Sequence, residues 1–347
     1  MKTTQGQGAQ HNPDQRFSKY TYERNEYMDE IEEEKAKTEF LEVFPKTIVN
    51  SVNSPDLSFV YSMNPYQGCE HGCAYCYARP THEFWNYSAG IDFERKILIK
   101  KNASELLEKF FQKKAYVPQT IMLSGNTDCY QPAEAKFELT RKLLEICLKY
   151  KHPVSIITKN ALVLRDLDVL NKLNELDLIS VAVSVTTLDE ELRRKLEPRT
   201  STARKRLETI KTLSDKGIPV KVMIAPIIPG LNSHELLDIL KAVSENGALS
   251  FGTTMVRLND TVFPVFKDWI EKAFPLKAEK VLNQISEVHG GSHEDRRFGT
   301  RMRGEGKMAE AIHQTLKIGR QKYFPEKVKI TLSTKHFNPN PIQLKLF

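Results

Sequence analysis

The stretch that decides the fold is SFVYSMNPYQGCEHGCAYCY, residues 58–77. Its first six residues form an apolar, β-branched run that predicts a strand. Cys69, Cys73 and Cys76 then follow on a loop that also holds two glycines. Three thiolates at this spacing can bind one metal centre, and they leave one iron of a four-iron cluster open to a substrate.

Two other interpretations fit the same cysteines. A zinc knuckle would add His71 or His82 as the fourth ligand. Alternatively the thiols are buried without a ligand, although their clustering on a glycine-containing loop serves no packing purpose. The chain has five cysteines, an odd number, and no export signal is expected. A disulfide framework is therefore not predicted.

Outward from this loop, short apolar runs alternate with amphipathic helical segments. Six strands are predicted, at residues 58–63, 117–123, 154–158, 179–185, 220–225 and 250–256. The alternation predicts a parallel sheet, either a closed or partly closed barrel or an open doubly wound sheet. In all of these, ligands bind beyond the carboxyl ends of the strands.

Composition agrees with a globular protein. The 347 residues carry a net charge of +7, with 27% charged and 40% hydrophobic residues. No transmembrane helix or signal peptide is expected, so we expect a cytoplasmic protein without a membrane partner. The modest basic excess permits a polyanionic partner but does not demand one.

The ends of the chain differ from its middle. Residues 1–20 are predicted to be a disordered arm, and residues 23–44 a short acidic helix. We expect four parts: a polar N-terminal arm and extension at 1–56, a barrel at 57–260, a helical and loop extension at 261–337, and an extended tail at 338–347.

The Cys-x3-Cys-x2-Cys spacing, with Tyr75 between the last two cysteines, resembles the signature of radical S-adenosylmethionine (SAM) enzymes. The longer string NPYQGCEHGCAYCYARP resembles the branch related to spore photoproduct lyase and to DNA-repair-photolyase-like proteins. The resemblance covers about residues 57–256. It implies an α/β fold, a partial (β/α)6 TIM-type barrel with N- and C-terminal extensions, in which Cys69, Cys73 and Cys76 hold a 4Fe-4S cluster.

The resemblance also implies an activity. A one-electron reductant of the flavodoxin or ferredoxin type would drive cleavage of cluster-bound SAM to a 5′-deoxyadenosyl radical, which abstracts hydrogen from the substrate. We expect a lyase-like DNA repair enzyme acting on a damaged base. The alternatives are a protein or small-molecule substrate, or a zinc-stabilised nucleic-acid-binding module without catalysis.

Several residues after the strands are expected to contact SAM. The resemblance places the segment after the second strand at the methionyl amino group, with Asp128 as the acceptor; an Asx-type turn is the alternative. That segment consists of Gly125, Asn126, Thr127 and Asp128.

Lys159, after the third strand, would meet the cofactor carboxylate, unless it is a solvated loop lysine. Ser184 would hydrogen-bond ribose or carboxylate, or is an ordinary strand-end hydroxyl. Arg199 would clamp a carboxylate, or pair with Glu197 on the surface.

Ile227 and Tyr75 are expected to line the adenine. Cys129 lies near the position of a hydrogen-donating cysteine of spore photoproduct lyase, but is displaced from it, so it is either a catalytic hydrogen donor or a small buried residue. Cys147 is predicted to belong to the core.

Two C-terminal features point to DNA. Residues 289–307 combine arginines with glycines and would grip a nucleic-acid backbone, unless those arginines pair with Glu294, Asp295 and Glu305. The last five residues, QLKLF, resemble the peptide by which bacterial DNA-maintenance proteins dock on the replication sliding clamp; Leu346 and Phe347 would enter an apolar pocket while Gln343 hydrogen-bonds at its rim. An apolar tail packed on its own domain is the alternative.

Overall fold

The computed structural model describes residues 6–17, 37–326 and 328–341. Its strands are β1 (Glu39–Val43), β2 (Val49–Ser51), β3 (Tyr61–Met63), β4 (Tyr66–Gln67), β5 (Lys96–Lys100), β6 (Ile121–Leu123), β7 (Val154–Thr158), β8 (Ile179–Ser184), β9 (Val220–Ile227) and β10 (Ser250–Met255).

Eleven α-helices occur in the described residues. They are α1 (Ile91–Arg95), α2 (Ala103–Phe111), α3 (Glu134–Phe137), α4 (Leu139–Lys149), α5 (Leu167–Asn174), α6 (Glu190–Leu196), α7 (Ala203–Asp215), α8 (Leu236–Glu245), α9 (Val262–Ala273), α10 (Ala278–Glu287) and α11 (Gly306–Tyr323). Three 3-10 helices cover Arg79–Trp85, Ala161–Asp166 and Ser233–Glu235.

The main sheet has seven strands in the order β10-β9-β8-β7-β6-β3-β2. All neighbours from β10 to β3 are parallel, and only β2 is antiparallel, against β3. The six predicted strands are therefore confirmed as one parallel sheet with helices in the crossovers, as expected of a partial (β/α)6 fold. Among the described strands, β10 and β2 remain unpaired edges.

One face of the sheet packs on helices and the other faces a less crowded interior. Along β9 the side chains of Val220, Val222 and Ile224 are buried, whereas Lys221 and Met223 between them are half-buried. Successive side chains of a strand point to opposite faces, so this alternation identifies the helix-facing side. The buried set belongs to the main core, which also contains apolar residues of α8 and α11.

A small second sheet was not predicted. It has the order β1-β5-β4, with β1 parallel and β4 antiparallel to β5. Because Tyr66 and Gln67 pair with Ile99 and Leu98, this sheet fixes the backbone immediately before the first cysteine.

The N-terminal predictions need correction. Residues 6–17, within the predicted disordered arm, pack on the rest of the molecule, and Gly8 and Ala9 are buried. The predicted acidic helix at 23–44 is wrong at its end, because Glu39–Val43 is a strand paired with β5. Residues 18–36 of the predicted arm and helix lie outside the described residues.

Among the described residues, no helix is both long enough and apolar enough to cross a membrane.

Candidate active site

The three cysteines lie on the loop between β4 and the 3-10 helix Arg79–Trp85. Cys69 and Cys73 are buried, Cys76 is half-buried, and none of them is in a disulfide. Cys76 packs against both the apolar cluster that contains Cys73 and the one that contains Cys69, so the three thiols share one region. Burial raises the pKa of all three thiols.

A fully buried arginine shapes this loop. The Arg79 guanidinium donates to the carbonyl of Cys73 at 2.8 and 3.1 Å and to the carbonyls of Ala89 and Gly90. Its remaining partner is the carboxylate of Glu94, at 2.6 Å. A buried guanidinium needs such partners for its donors, so the loop is held by hydrogen bonds rather than by apolar packing alone.

Glu94 is itself completely buried and joins three parts of the chain. Besides Arg79, it accepts from Arg199 at 3.1 Å and from the backbone amides of Gly8 and Ala9 at 3.3 and 2.7 Å. A Cβ at Gly8 would overlap the carbonyl oxygen of Gly72, so only glycine allows this approach. We call residues 6–17 the strap, since they lie directly against the cysteine loop.

A second buried carboxylate, Glu197, holds the other side of the loop. It accepts from the hydroxyl of Tyr75 and from Thr186 at 2.7 Å, and it pairs with Arg206 at 2.5 Å and Lys159 at 3.2 Å. Burial alone would raise the pKa of Glu197, but the two cations and the hydroxyl outweigh it and hold that pKa well below its usual range.

This arrangement brings two of the predicted SAM residues together. Tyr75 and Lys159 share Glu197, and the Lys159 ammonium lies 5.8 Å from the centre of the Tyr75 ring. Lys159 also favours the charged form of the Cys73 thiol. The alternative of a solvated loop lysine is therefore wrong: its side chain is largely buried and ion-paired.

Asp128 serves mainly to organise its own loop. It accepts from the Tyr130 amide at 2.9 Å, the Thr158 hydroxyl at 2.8 Å and the Lys159 amide at 2.7 Å, and it contacts His71 at 3.4 Å. Burial would raise its pKa, but His71 and these amides keep the pKa of Asp128 below its usual value. The bond to the Tyr130 amide is the predicted Asx-type turn.

The neighbours of Asp128 line the same loop. The Gly125 carbonyl accepts from Tyr77 at 2.8 Å, the Asn126 amide donates to Asn64 at 2.9 Å, and Thr127 donates to the Tyr66 carbonyl at 2.7 Å. These bonds connect the end of β6 to the start and end of the cysteine loop.

The other predicted SAM residues lie at separate places around the strand ends. Ser184 ends β8 and is buried, and its carbonyl accepts from Arg206 at 2.9 Å. Ile227 ends β9 and is also buried. The expected alternative for Arg199, a surface pair with Glu197, is wrong, because Arg199 pairs with Glu94 while Glu197 is buried against Arg206.

Cys129 lies in the main core rather than in an open site. Its side chain is completely buried, its amide donates to Ser124 at 2.7 Å, and its carbonyl accepts from Thr140 at 2.7 Å. Burial raises the pKa of its thiol well above the usual value. This placement favours the small buried residue over the hydrogen donor, which stays a prediction. Cys147 is a core residue, as predicted.

The sequence did not predict the buried charged residues that hold the cysteine loop in place. Glu94, Arg79 and Arg206 carry no local signal, because a buried charge is recognisable only by its partners across the fold. The spacing of Asn232 and Glu235 is typical of a helix capping box, but neither side chain caps the helix. Asn232 hydrogen-bonds the Thr186 and Pro226 carbonyls, and Glu235 accepts from Thr187 and two amides of the loop after β8.

The arginine-glycine segment at residues 289–307 is largely engaged in ion pairs. Arg296 pairs with Asp260 and Glu294, and Arg297 with Asp295 and Glu305. Arg301 pairs with Asp56 at 2.6 Å. For these three arginines the structure favours the ion-paired alternative over a free grip on phosphate.

The donor set fits an iron-sulfur cluster. The three thiols are not in disulfides, two of them are buried, and they lie on a loop whose Gly72 approaches Glu94 so closely that a Cβ there would come within 2.6 Å of a carboxylate oxygen. Lys159 and Arg206 supply positive charge beside Cys73. Soft thiolates in such a shielded site are the ligands that iron-sulfur clusters use.

Comparisons with known proteins agree with an iron-sulfur cluster at the three cysteines. Residues 63–243 match the model of the Radical SAM superfamily. An uncharacterized protein of Mycobacterium tuberculosis (strain ATCC 25618 / H37Rv) is 35% identical over 239 residues, which cover 68% of this chain and 70% of the relative. An uncharacterized protein of Methanocaldococcus jannaschii is 29% identical over 251 residues, 72% of this chain and 90% of the relative.

The fold is also similar to that of solved spore photoproduct lyase. One such structure, complexed with dinucleoside spore photoproduct, has a TM-score of 0.60 and 16% identity, covering 82% of this chain and 80% of that chain. Another, with the same values, holds bound AdoMet and dinucleoside spore photoproduct. At this identity the similarity concerns the fold.

Replacing Glu197 tests the buried network. Glu197→Gln leaves Arg206 and Lys159 without their charge partner, so we expect the free energy of unfolding to fall by about 3–5 kcal/mol at neutral pH, measured by urea denaturation. The folded pKa lies below the usual value of 4.5, so this difference is present above that pH and shrinks as the pH falls below it. Glu191→Gln, at an exposed pair with Lys195, is the control and should change stability little. An equal loss of unfolding free energy in Glu197→Gln and Glu191→Gln would contradict a stabilising role for the buried Glu197 network.

Proposed function

The chain belongs to the radical SAM superfamily, and from this premise we propose that it is a DNA-repair lyase-like enzyme acting on a damaged nucleic-acid base. Membership makes it a radical SAM enzyme that uses a 4Fe-4S cluster and SAM. When bound, these groups supply one-electron cleavage of SAM and so the 5′-deoxyadenosyl radical. Membership also argues against the alternative of a zinc-stabilised module without catalysis.

We assign the roles of the chain's own residues as follows. Cys69, Cys73 and Cys76 hold three irons of the cluster, and Lys159 balances negative charge beside them. Glu197 acts as a positioning residue because it fixes Lys159 and Tyr75. The proposed SAM contacts are Tyr75, Gly125, Asn126, Thr127, Asp128, Lys159, Ser184, Arg199 and Ile227.

One observation supports a nucleic-acid substrate: an exposed aromatic ring directly beside the cysteine loop, next to a free arginine. Tyr77 follows Cys76 and is 54% exposed. The Arg257 guanidinium lies 5.9 Å from the centre of its ring and makes no ion pair within the described residues. Burial and the neighbouring Arg301 lower the pKa of Arg257, so it would gain from an anionic partner.

A second exposed ring lies on the C-terminal extension, beside an arginine that is ion-paired with Asp56. Phe298 is 58% exposed, and the Arg301 guanidinium lies 4.2 Å from the centre of its ring. Exposed aromatic rings alternating with arginines are the usual means of binding unstacked bases and their phosphates. The solved spore photoproduct lyase with a bound dinucleoside has the same fold, which supports a substrate of this class.

We propose a cytoplasmic setting with a flavodoxin or ferredoxin as the electron donor. All five cysteines are free thiols, which suits a reducing compartment. We also propose that the tail docks on a sliding clamp through residues 343–347. Those residues lie outside the described part of the chain, so this proposal rests on the motif alone.

Removal of one cysteine tests the cluster. Cys73→Ala should lose the cluster and with it the cleavage of SAM, measured as iron content, absorbance near 400 nm and 5′-deoxyadenosine after anaerobic purification. The matched control is Cys147→Ala, which removes a core thiol and should keep the iron. A colourless wild-type protein that contains zinc would overturn the proposal.

Replacing Tyr77 tests the nucleic-acid substrate. Tyr77→Ala should weaken binding of a short irradiated single-stranded oligonucleotide about 5- to 150-fold, because stacking contributes about 1–3 kcal/mol per base. Fluorescence anisotropy measures this. Leu276→Ala, at a fully exposed apolar side chain, should bind like the wild type. Unchanged affinity in Tyr77→Ala would remove the main support for this substrate class.

Truncation tests the tail. Deleting residues 342–347 should abolish retention of the protein on an immobilised bacterial sliding clamp, while Lys345→Ala should be retained, since the motif uses Gln343, Leu346 and Phe347. Retention of the truncated protein at the wild-type level would exclude docking through the tail.

A further inference from the structure

A groove of about 410 Å³ runs beside the edge strand β10, between that strand and α11. We call it the α11 groove. Its inner wall is apolar and includes Ile227, Phe251 and Met255. Its rim is basic and consists of Arg303, His313, Lys317 and Arg320. Among the residues that the structure describes, none that lines the groove is acidic.

The cations of the α11 groove differ from those of the neighbouring loop. Arg296, Arg297 and Arg301 are each neutralised by a carboxylate. By contrast, Arg303, Lys317 and Arg320 form no ion pair with any residue that the structure describes. Like charges gathered without counter-charges repel one another, so this rim gains energy from an anion that spans it.

The helix and the strand hold these charges in a fixed row. Positions 313, 317 and 320 follow one another at helical spacing, so their side chains share one face of α11. The Arg320 guanidinium lies 4.2 Å from the centre of the Phe251 ring on β10. A guanidinium stacked on a ring keeps its N–H donors available for an anion, and Arg320 forms no ion pair with any described residue.

A backbone hydrogen bond connects the end of β10 to the segment that carries Arg303. The Met255 amide at the end of β10 donates to the Met302 carbonyl at 2.9 Å. Arg257, beside Tyr77, comes two residues after Met255, and Arg303 comes one residue after Met302. This bond therefore joins the strand that leads to Arg257 to the segment that places Arg303 at the groove.

We propose that the α11 groove binds the phosphodiester backbone of a nucleic-acid strand whose reacting base lies at the cysteine loop. The proposal rests on the nucleic-acid substrate proposed above and adds where its backbone runs. Unpaired Lys and Arg side chains along a groove are the means by which proteins bind this backbone independently of sequence.

The test is binding of a fluorescent duplex oligonucleotide to the full-length protein between about 50 and 200 mM salt. Lys317→Gln/Arg320→Gln removes two cations from the rim. The matched control, Lys205→Gln/Lys211→Gln, removes two exposed cations from α7, outside the groove. Arg303→Gln is a second groove variant on a separate element, and thermal unfolding checks that each variant is folded.

Each phosphate contact contributes about 0.9 to the slope of log affinity against log salt concentration. The double groove variant should therefore lose about 2 from that slope, Arg303→Gln about 1, and the α7 control nothing. If the wild type binds and the folded groove variants keep its slope, the groove proposal fails while the nucleic-acid substrate stands. If the wild type binds neither this duplex nor the single-stranded oligonucleotide used for Tyr77→Ala, both proposals fail.

Discussion

Two buried carboxylates hold the cysteine loop from opposite sides, and the geometry of the site depends on them. Glu94 binds Arg79, whose guanidinium holds the Cys73 carbonyl, and Glu197 binds the hydroxyl of Tyr75 two residues further on. Buried charges are stable only when fully paired, so the residues around them have little freedom to move. Arg199, two residues after Glu197, reaches Glu94 and connects the two.

The framework of the fold follows from the sequence because its signals are local. The strand predicted at 154–158 is found at Val154–Thr158, and Thr202 caps α7 through the Lys205 amide. The three cysteines are likewise read from their spacing. Apolar runs, caps and metal-ligand spacing each depend on residues close together in the chain.

The features that the sequence did not predict depend on contacts between segments that are distant in the chain. The strap meets the cysteine loop where Gly8 approaches Gly72, across more than 60 residues of chain, and nothing local marks that approach. The same holds for Asn232, whose spacing to Glu235 is typical of a helix cap although its amide donates to a carbonyl in the loop after β8 and to another near the end of β9. Short polar side chains can hydrogen-bond many backbone groups, so their partners depend on which segments the fold brings close to them.

The placement of the charged residues shows why the function has to be inferred from the sequence and the structure together. The arginines of residues 289–307 are conspicuous in the sequence, yet three of them are neutralised, whereas Arg257 and, on α11, Lys317 and Arg320 form no ion pair with any described residue. The central claim is that the radical acts on a nucleic-acid base. Anaerobic turnover with dithionite, SAM and an irradiated oligonucleotide deuterated in its bases tests it most directly. We expect deuterium in the 5′-deoxyadenosine formed; 5′-deoxyadenosine without deuterium, in an amount that the oligonucleotide does not change, would contradict the claim.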